Sequence, residues 1–168
     1  MKNRDDALLR RIIEYCNETE GAVSLFGDEE VFKNNKIYRN AACMPIMQIG
    51  ELCKLVSDSL KEKHSQVDWR GWCGVRDILA HQYTNIDYKK TWYIITVDLP
   101  KLKKCISDII VSIDNESIER IKRVINKNNL SGVEPERVYH RIVDDTGISL
   151  NVFSDEKIVE FIKNISKG

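Results

Sequence analysis

Seven apolar residues, Trp92, Ile95, Leu99, Leu102, Ile106, Ile109 and Ile113, recur at steps of three and four without a miss. Only a helix with one buried stripe satisfies that spacing. Pro100 lies inside it, and because the pattern continues on both sides the proline is expected to bend the helix rather than end it. A second run, Ile46, Ile49, Cys53, Val56 and Leu60, repeats the alternating four- and three-residue steps from Ala42 onward, with Pro45 in its early turns. Two such seams in one chain demand helix-against-helix packing. The fold class predicted is therefore all-α, an up-and-down helical bundle.

The remaining elements follow from local signals. Leu8, Ile12, Tyr15 and Cys16 share a face, so residues 5–19 read as an amphipathic helix, its exit bracketed by Gly21 and Gly27. A short helical turn is expected at residues 28–33, capped by Asp28. Asp68 reads as the cap of a helix carrying Trp69, Trp72, Cys73, Val75, Ile78 and Leu79, with Gly71 and Gly74 permitting close packing. That helix is expected to end in the run 82–86, and Asp87 to cap the next. Beyond Ile113, Asp114-Asn115-Glu116 restarts the chain and Asn126-Lys127-Asn128-Asn129 interrupts it. Short helices are expected near 116–127, 135–145 and 155–166, with Pro135 in a first turn and Ser154 as a cap. Each is too short to stand alone in water and must dock on the bundle, on its neighbours or on a partner. The organisation predicted is a bundle over residues 1–113 and a short-helix C-terminal extension over 114–168.

Charge argues against a general nucleic-acid binder, because the chain of 168 residues carries 26 basic and 26 acidic side chains. The distribution is uneven. Lys and Arg against Asp and Glu count 8 to 10 over residues 1–60, 9 to 6 over 61–113 and 9 to 10 over 114–168. In the one surplus segment Lys61, Lys63, Arg70, Lys89 and Lys90 either steer a phosphate chain or form an ordinary mixed-charge surface. Five cysteines, Cys16, Cys43, Cys53, Cys73 and Cys105, make an odd set with neither a Cys-x-x-Cys pair nor a histidine at ligand spacing. No metal, cofactor or disulfide framework is predicted. The charged start has no apolar signal core behind it, and no apolar run approaches about 18 residues. A cytoplasmic protein with no membrane segment is the expectation.

The chemistry concentrates in Arg76-Asp77-Ile78-Leu79-Ala80-His81-Gln82-Tyr83. Arg76 can grip a phosphate with a planar fork of donors, and His81 can exchange a proton near neutral pH. Together they suit metal-independent cleavage of RNA by its own 2′-hydroxyl, which needs only an acid/base group and a cation at phosphorus. Spacing complicates this, since positions five apart point roughly 140° away from each other on a helix. Either the helix frays near His81 or a second copy completes the site, which predicts a homodimer. Glu51, beside the second seam, pairs with a core arginine or faces solvent. His140, between Tyr139 and Arg141, has nothing near it in sequence to complete a constellation.

The motif resembles the Arg-x4-6-His-x-Tyr signature of HepT toxins, within the HEPN ribonucleases. Its surroundings are similar too: Trp69 stands seven residues before Arg76, Ile86-Asp87 and Trp92 follow Tyr83, then comes Asp98-Leu99-Pro100-x-Leu102, and Ile49-Gly50-Glu51 lies in the preceding long helix. The resemblance spans about residues 1 to 113, with Asp77 standing where asparagine is more usual. It implies a HEPN-like bundle and an endoribonuclease toxin in which Arg76 stabilises the transition state, His81 is the general acid/base and Asp77 orients one of them. It implies RNA as substrate, Arg70, Lys89 and Lys90 as candidate RNA contacts, and a nucleotidyltransferase antitoxin of the MNT kind that transfers AMP to Tyr83. The alternative is a non-catalytic dimeric helical adaptor that binds a nucleotidyltransferase or a nucleotide.

Overall fold

The computed structural model describes residues 2–81, 87–130, 132–146, 150 and 153–165, and the regular elements among them are helical. The bundle expected from the two seams is present. α1 spans Lys2–Phe26, longer than the predicted 5–19, because Gly21 sits on an open face where no neighbour comes near. An exposed helical glycine costs only about 1 kcal/mol, too little to end a helix with a buried stripe. That stripe is Leu9, Ile12, Cys16 and Thr19, one residue round from the predicted Leu8 face. Thr19 hides its hydroxyl by donating to the Tyr15 carbonyl at 3.0 Å. The stop comes at Gly27, whose φ of +105° ends the helix.

α2, Glu29–Asn34, is capped by Asp28 as predicted, and α3, Lys36–Leu55, is capped by Asn35 through Oδ1 to the Ile37 and Tyr38 amides at 2.9 and 3.1 Å. The start at Lys36 lies six residues before Ala42, and the missed signal is Asn35 itself. The end is early as well. Val56 turns extended, Ser57 caps α4, Asp58–Lys63, and Leu60 therefore belongs to α4 and not to the long seam. Ile46, Ile49, Cys53 and Val56 are nonetheless buried, and Pro45 is accommodated inside α3.

α5, Trp69–His81, begins where Asp68 Oδ1 accepts the Gly71 amide at 2.8 Å. α6, Tyr88–Tyr93, is capped by Asp87 through the Lys90 amide at 3.1 Å. Aromatic packing anchors it: Phe32 lies 5.5 Å from Trp92 and 5.3 Å from Tyr38, and the Tyr38 hydroxyl donates to the Gly27 carbonyl at 2.8 Å. A π-helical turn, Ile94–Asp98, then joins α6 to α7, Leu99–Lys127. Pro100 explains the wide turn. Lacking an N–H and crowding the carbonyl four residues back, it strains an ordinary α turn, and the Leu99 amide bonds instead to Ile94 O, five residues back. The predicted stripe survives the change, with Ile95, Leu99, Leu102, Ile106 and Ile109 all buried.

The chain divides into two compact units, Leu8–Ile109 and Met1–Ala7 with Ile110–Gly168. The restart expected at Asp114–Glu116 does not break the helix, since α7 runs through it. α8, Pro135–Thr146, and α9, Asp155–Ile165, form as predicted, and Ser154 caps α9. They dock on the end of α7 and on each other, around Ile121, Val124, Ile142, Leu150, Ile158 and Ile162. Arg120 fastens the arrangement, donating to Asp155 Oδ1 at 2.6 Å and to the Phe153 carbonyl at 2.8 Å, while the Tyr139 hydroxyl donates to Asp114 at 2.6 Å.

The backbones of α3 and α5 come together at Gly50, where a Cβ would collide with Arg76 Cβ and stand 2.8 Å from the Trp72 carbonyl. Gly74, expected to permit close packing, has nothing within 4 Å, and a Cβ on Gly71 would strike only its own cap, Asp68. Gly50→Ala is therefore expected to destabilise the protein by about 1–3 kcal/mol through overpacking. Gly74→Ala should stabilise it by up to about 1 kcal/mol through helix propensity. Urea unfolding of the two variants checks the opposite signs, and equal effects would contradict this placement of the helix crossing.

Candidate functional site

The close approach at Gly50 decides what surrounds Arg76. With no side chain between the backbones, α3 brings Glu51 and Lys54, three residues apart and so on one helix face, against the second half of α5. Glu51 Oε1 meets Arg76 Nε, and Lys54 Nζ lies 3.4 Å from the same Glu51 oxygen. Asp77 Oδ1 receives Arg76 Nη1 at 3.0 Å and Lys54 Nζ at 2.9 Å. Each carboxylate thus presents one oxygen to both cations, and the four groups form a ring of alternating charge. Glu51, left open between pairing and solvent, is paired.

Neighbours in sequence do not face each other on a helix, so the Arg76–Asp77 contact exists because both side chains turn toward α3. The ring is half-buried, with side-chain exposures of 30% for Arg76 and 53% for Asp77. Hydrogen bonds from Lys54, and then from Arg76, hold the Asp77 carboxyl below its ordinary range. The bond to Asp77 in turn raises the Lys54 ammonium.

The other predicted residues distribute unevenly. His81 is the last residue of α5, but its side chain, like Tyr83 and the whole run 82–86, lies outside the described residues. Arg70 is exposed in the first turn of α5, about 9 Å along the axis from Arg76 at 1.5 Å per residue. Lys89 and Lys90 are exposed in the first turn of α6, where Lys90 pairs with Asp87 at 3.6 Å. Lys90 does reach the motif helix, lining a small cavity of about 190 Å³ with Val75, Ile78 and Leu79. Ile78 is 55% exposed beside it. A larger cleft of about 410 Å³ opens at the other end of α5, lined by Asp68, Gly71 and Trp72 and closed by Asp98 and Lys101 from the π turn and α7. Arg76, Asp77, Glu51 and Lys54 are not among its lining residues. His140 is exposed on α8. Lys54 is the residue that sequence reasoning passed over, and Gly50 enters there only as part of the resembling segment Ile49-Gly50-Glu51. The available signal was the Glu51–Lys54 spacing, which places a cation on the same face as the carboxylate.

The cysteines offer no nucleophile in the buried positions, since burial pushes the thiols of Cys16 and Cys53 up to about 12 and that of Cys43 to about 11. They serve as small core hydrophobes. Among the described residues no helix is long and apolar enough to cross a membrane.

A family model described as "Ribonuclease HepT-like" matches residues 12–109, which ends where the first compact unit ends. A Methanocaldococcus jannaschii protein named as a candidate RNase is 36% identical over 105 residues, 62% of this chain and 95% of that one. A second candidate RNase of the same organism is 32% identical over 117 residues, 69% of this chain and 96% of its own length. A probable ribonuclease HepT of Thermococcus cleftensis is 34% identical over 55 residues, 33% of this chain and 50% of that protein. No solved structure matches.

A carboxyl depressed in the folded state stabilises it above the unfolded value, and that contribution fades as pH falls through the folded value. Asp77 should therefore titrate below the ordinary aspartate value of about 3.9, and the ring should stay intact at neutral pH and open only in acid. Carbon-detected NMR titration of the Asp77 carboxyl checks this; a midpoint at or above the ordinary value would contradict the ring.

Proposed function

Because the chain belongs to the HepT-like ribonuclease family, we propose that it is an endoribonuclease that cleaves RNA without a metal ion, through Arg76 and His81. The observation that carries this reading is the seating of Arg76, half-buried on α5 against α3, inside the segment that the family model covers. Its guanidinium is permanently charged and presents a fixed fork of donors, which suits the phosphorane-like charge that builds when a 2′-oxygen attacks the adjacent phosphorus. The 2′-O–P bond forms as the P–5′-O bond breaks. His81, as general acid/base, takes the proton of the attacking hydroxyl and supplies one to the departing 5′-oxygen. Asp77 orients Arg76, and Arg70, Lys89 and Lys90 guide the RNA backbone.

His81 closes a helix on which Arg76 lies five positions earlier, so two copies of the motif facing each other in a homodimer complete the site. The protein then acts as the toxin of a toxin–antitoxin pair. Its partner is a nucleotidyltransferase of the MNT kind that transfers AMP to the Tyr83 hydroxyl, placing bulk and about one negative charge per nucleotide in the phosphate path. The bundle over residues 1–113 carries these functions, with 114–168 as an appended module. The competing reading, a non-catalytic dimeric adaptor for a nucleotidyltransferase or a nucleotide, draws on the two carboxylates that already occupy Arg76.

Incubation of the purified protein with RNA in EDTA separates the two. Cleavage should persist under chelation and fall by about a hundredfold or more in Arg76→Ala and in His81→Ala. Mixing the two variant chains should restore part of it. Correctly folded protein that cleaves no RNA supports the adaptor. Intact-mass measurement after co-expression with a nucleotidyltransferase of the MNT kind should show AMP increments that vanish in Tyr83→Phe, while RNA cleavage by that variant persists.

A further inference from the structure

Any phosphate that approaches Arg76 meets a guanidinium with a carboxylate on each of two sides, Glu51 at Nε and Asp77 at Nη1. With those three groups alone the site carries a net charge of minus one and repels an RNA backbone. Lys54 changes the sign of the argument. Its ammonium contacts the very oxygens that bind Arg76, Asp77 Oδ1 at 2.9 Å and Glu51 Oε1 at 3.4 Å, and so brings the ring to zero.

We propose that Lys54 is a positioning residue of the phosphate site: by holding Glu51 and Asp77 from the α3 side, it keeps the two carboxylates from saturating Arg76 and lets the guanidinium accept a phosphodiester. The inference rests on the ribonuclease reading for its substrate, but its electrostatics rest on the ring alone. Three features support it. Lys54 is on a different helix from the motif, 23 positions from Asp77, so its placement beside Asp77 is a product of the α3–α5 crossing. It is a compact, mobile ammonium able to follow a carboxylate that shifts when a phosphate arrives, unlike a rigid planar fork. Finally, the Asp77 carboxyl is depressed by Lys54 before Arg76, so the ammonium is the larger of the two influences on that group.

Removing Lys54 should therefore act mainly on substrate binding. Without it both carboxylates turn to Arg76 alone and compete with phosphate, whereas a partner that only packs the helices would affect folding stability instead. The test uses the full chain with Lys54→Met, Lys54→Arg, Glu51→Gln and the double variant Glu51→Gln/Lys54→Met. Two readouts are taken, anisotropy with a 2′-O-methyl RNA oligonucleotide, which cannot be cleaved, and steady-state cleavage of the unmodified oligonucleotide in EDTA. Lys54→Met is expected to weaken binding and raise KM by roughly tenfold, the scale of one unscreened charge several ångströms away at a protein surface, with a smaller change in kcat and a smaller loss at high salt. Lys54→Arg, which keeps the charge but not the compact ammonium, should fall between wild type and Lys54→Met, and the double variant should recover most of the loss, because deleting a carboxylate removes the need for its counterion.

Wild-type binding in Lys54→Met, or a double variant as weak as Lys54→Met, would overturn the inference. Oligonucleotide binding without cleavage by the wild type would overturn the ribonuclease reading, while the binding series still decides the role of Lys54. Cleavage by the wild type with unchanged kinetics in Lys54→Met would leave the ribonuclease reading standing and remove Lys54 from it. A wild type that binds no RNA at all would overturn both.

Discussion

The backbone contact at Gly50 is the constraint on which the functional half of the molecule depends. A helix pair normally keeps its axes 8–10 Å apart because side chains fill the space between them. Here the missing Cβ lets α3 come against Trp72 O and Arg76 Cβ. The residue after the glycine is then at the right height to reach the guanidinium, and the one after a further helical turn reaches Asp77. Ile49, the residue before the glycine, is fully buried in the core. One small residue thereby couples core packing to the electrostatics of the site, which is why Ile49-Gly50-Glu51 carries more information than any of the three alone.

A ring of two cations and two carboxylates stabilises little by itself at a half-exposed surface, since exposed ion pairs contribute about 0–1 kcal/mol each. Its value lies in geometry. An arginine with a long, free side chain samples many rotamers, and holding it costs conformational entropy at each encounter with substrate. Held beforehand between Glu51 and Asp77, Arg76 has already lost that freedom. The cost of such holding is local negative charge, and the ammonium of Lys54 offsets it without occupying the guanidinium. The ring leaves the basic surplus of residues 61–113 to more exposed lysines and arginines, with Arg70 on the motif helix itself and Lys90 beside it.

The C-terminal unit follows different rules. Its helices are individually marginal, yet Ile121, Val124, Ile142, Ile158 and Ile162 form a core of their own, and Arg120 satisfies the carbonyls of the segment before α9 that would otherwise end in an apolar interior. α7 supplies one wall of that core with the second half of a helix whose first half belongs to the bundle. The family match stops at residue 109, so this core is built from residues beyond it.

By itself the sequence determined the helical class, the buried stripe from Ile95 to Ile109, and the caps at Asp28, Asp68, Asp87 and Ser154, because periodicity and capping are local and are written in residues three or four apart. It also singled out Arg76-x4-His81-x-Tyr83 by the chemistry of those side chains and by resemblance to a known family. It misjudged boundaries where a weak local breaker met a strong nonlocal stripe, as at Gly21 and Asp114–Glu116, and where a cap interrupted an apparent seam, as at Ser57. It placed Lys54 on the face of Glu51 by spacing, but not beside Asp77. That residue's meaning depends on a partner 23 positions away, on which of three glycines allowed backbone contact, and on the axial height at which two helices cross. Tertiary packing alone decides those, because each is a distance between elements that no spacing along the chain records.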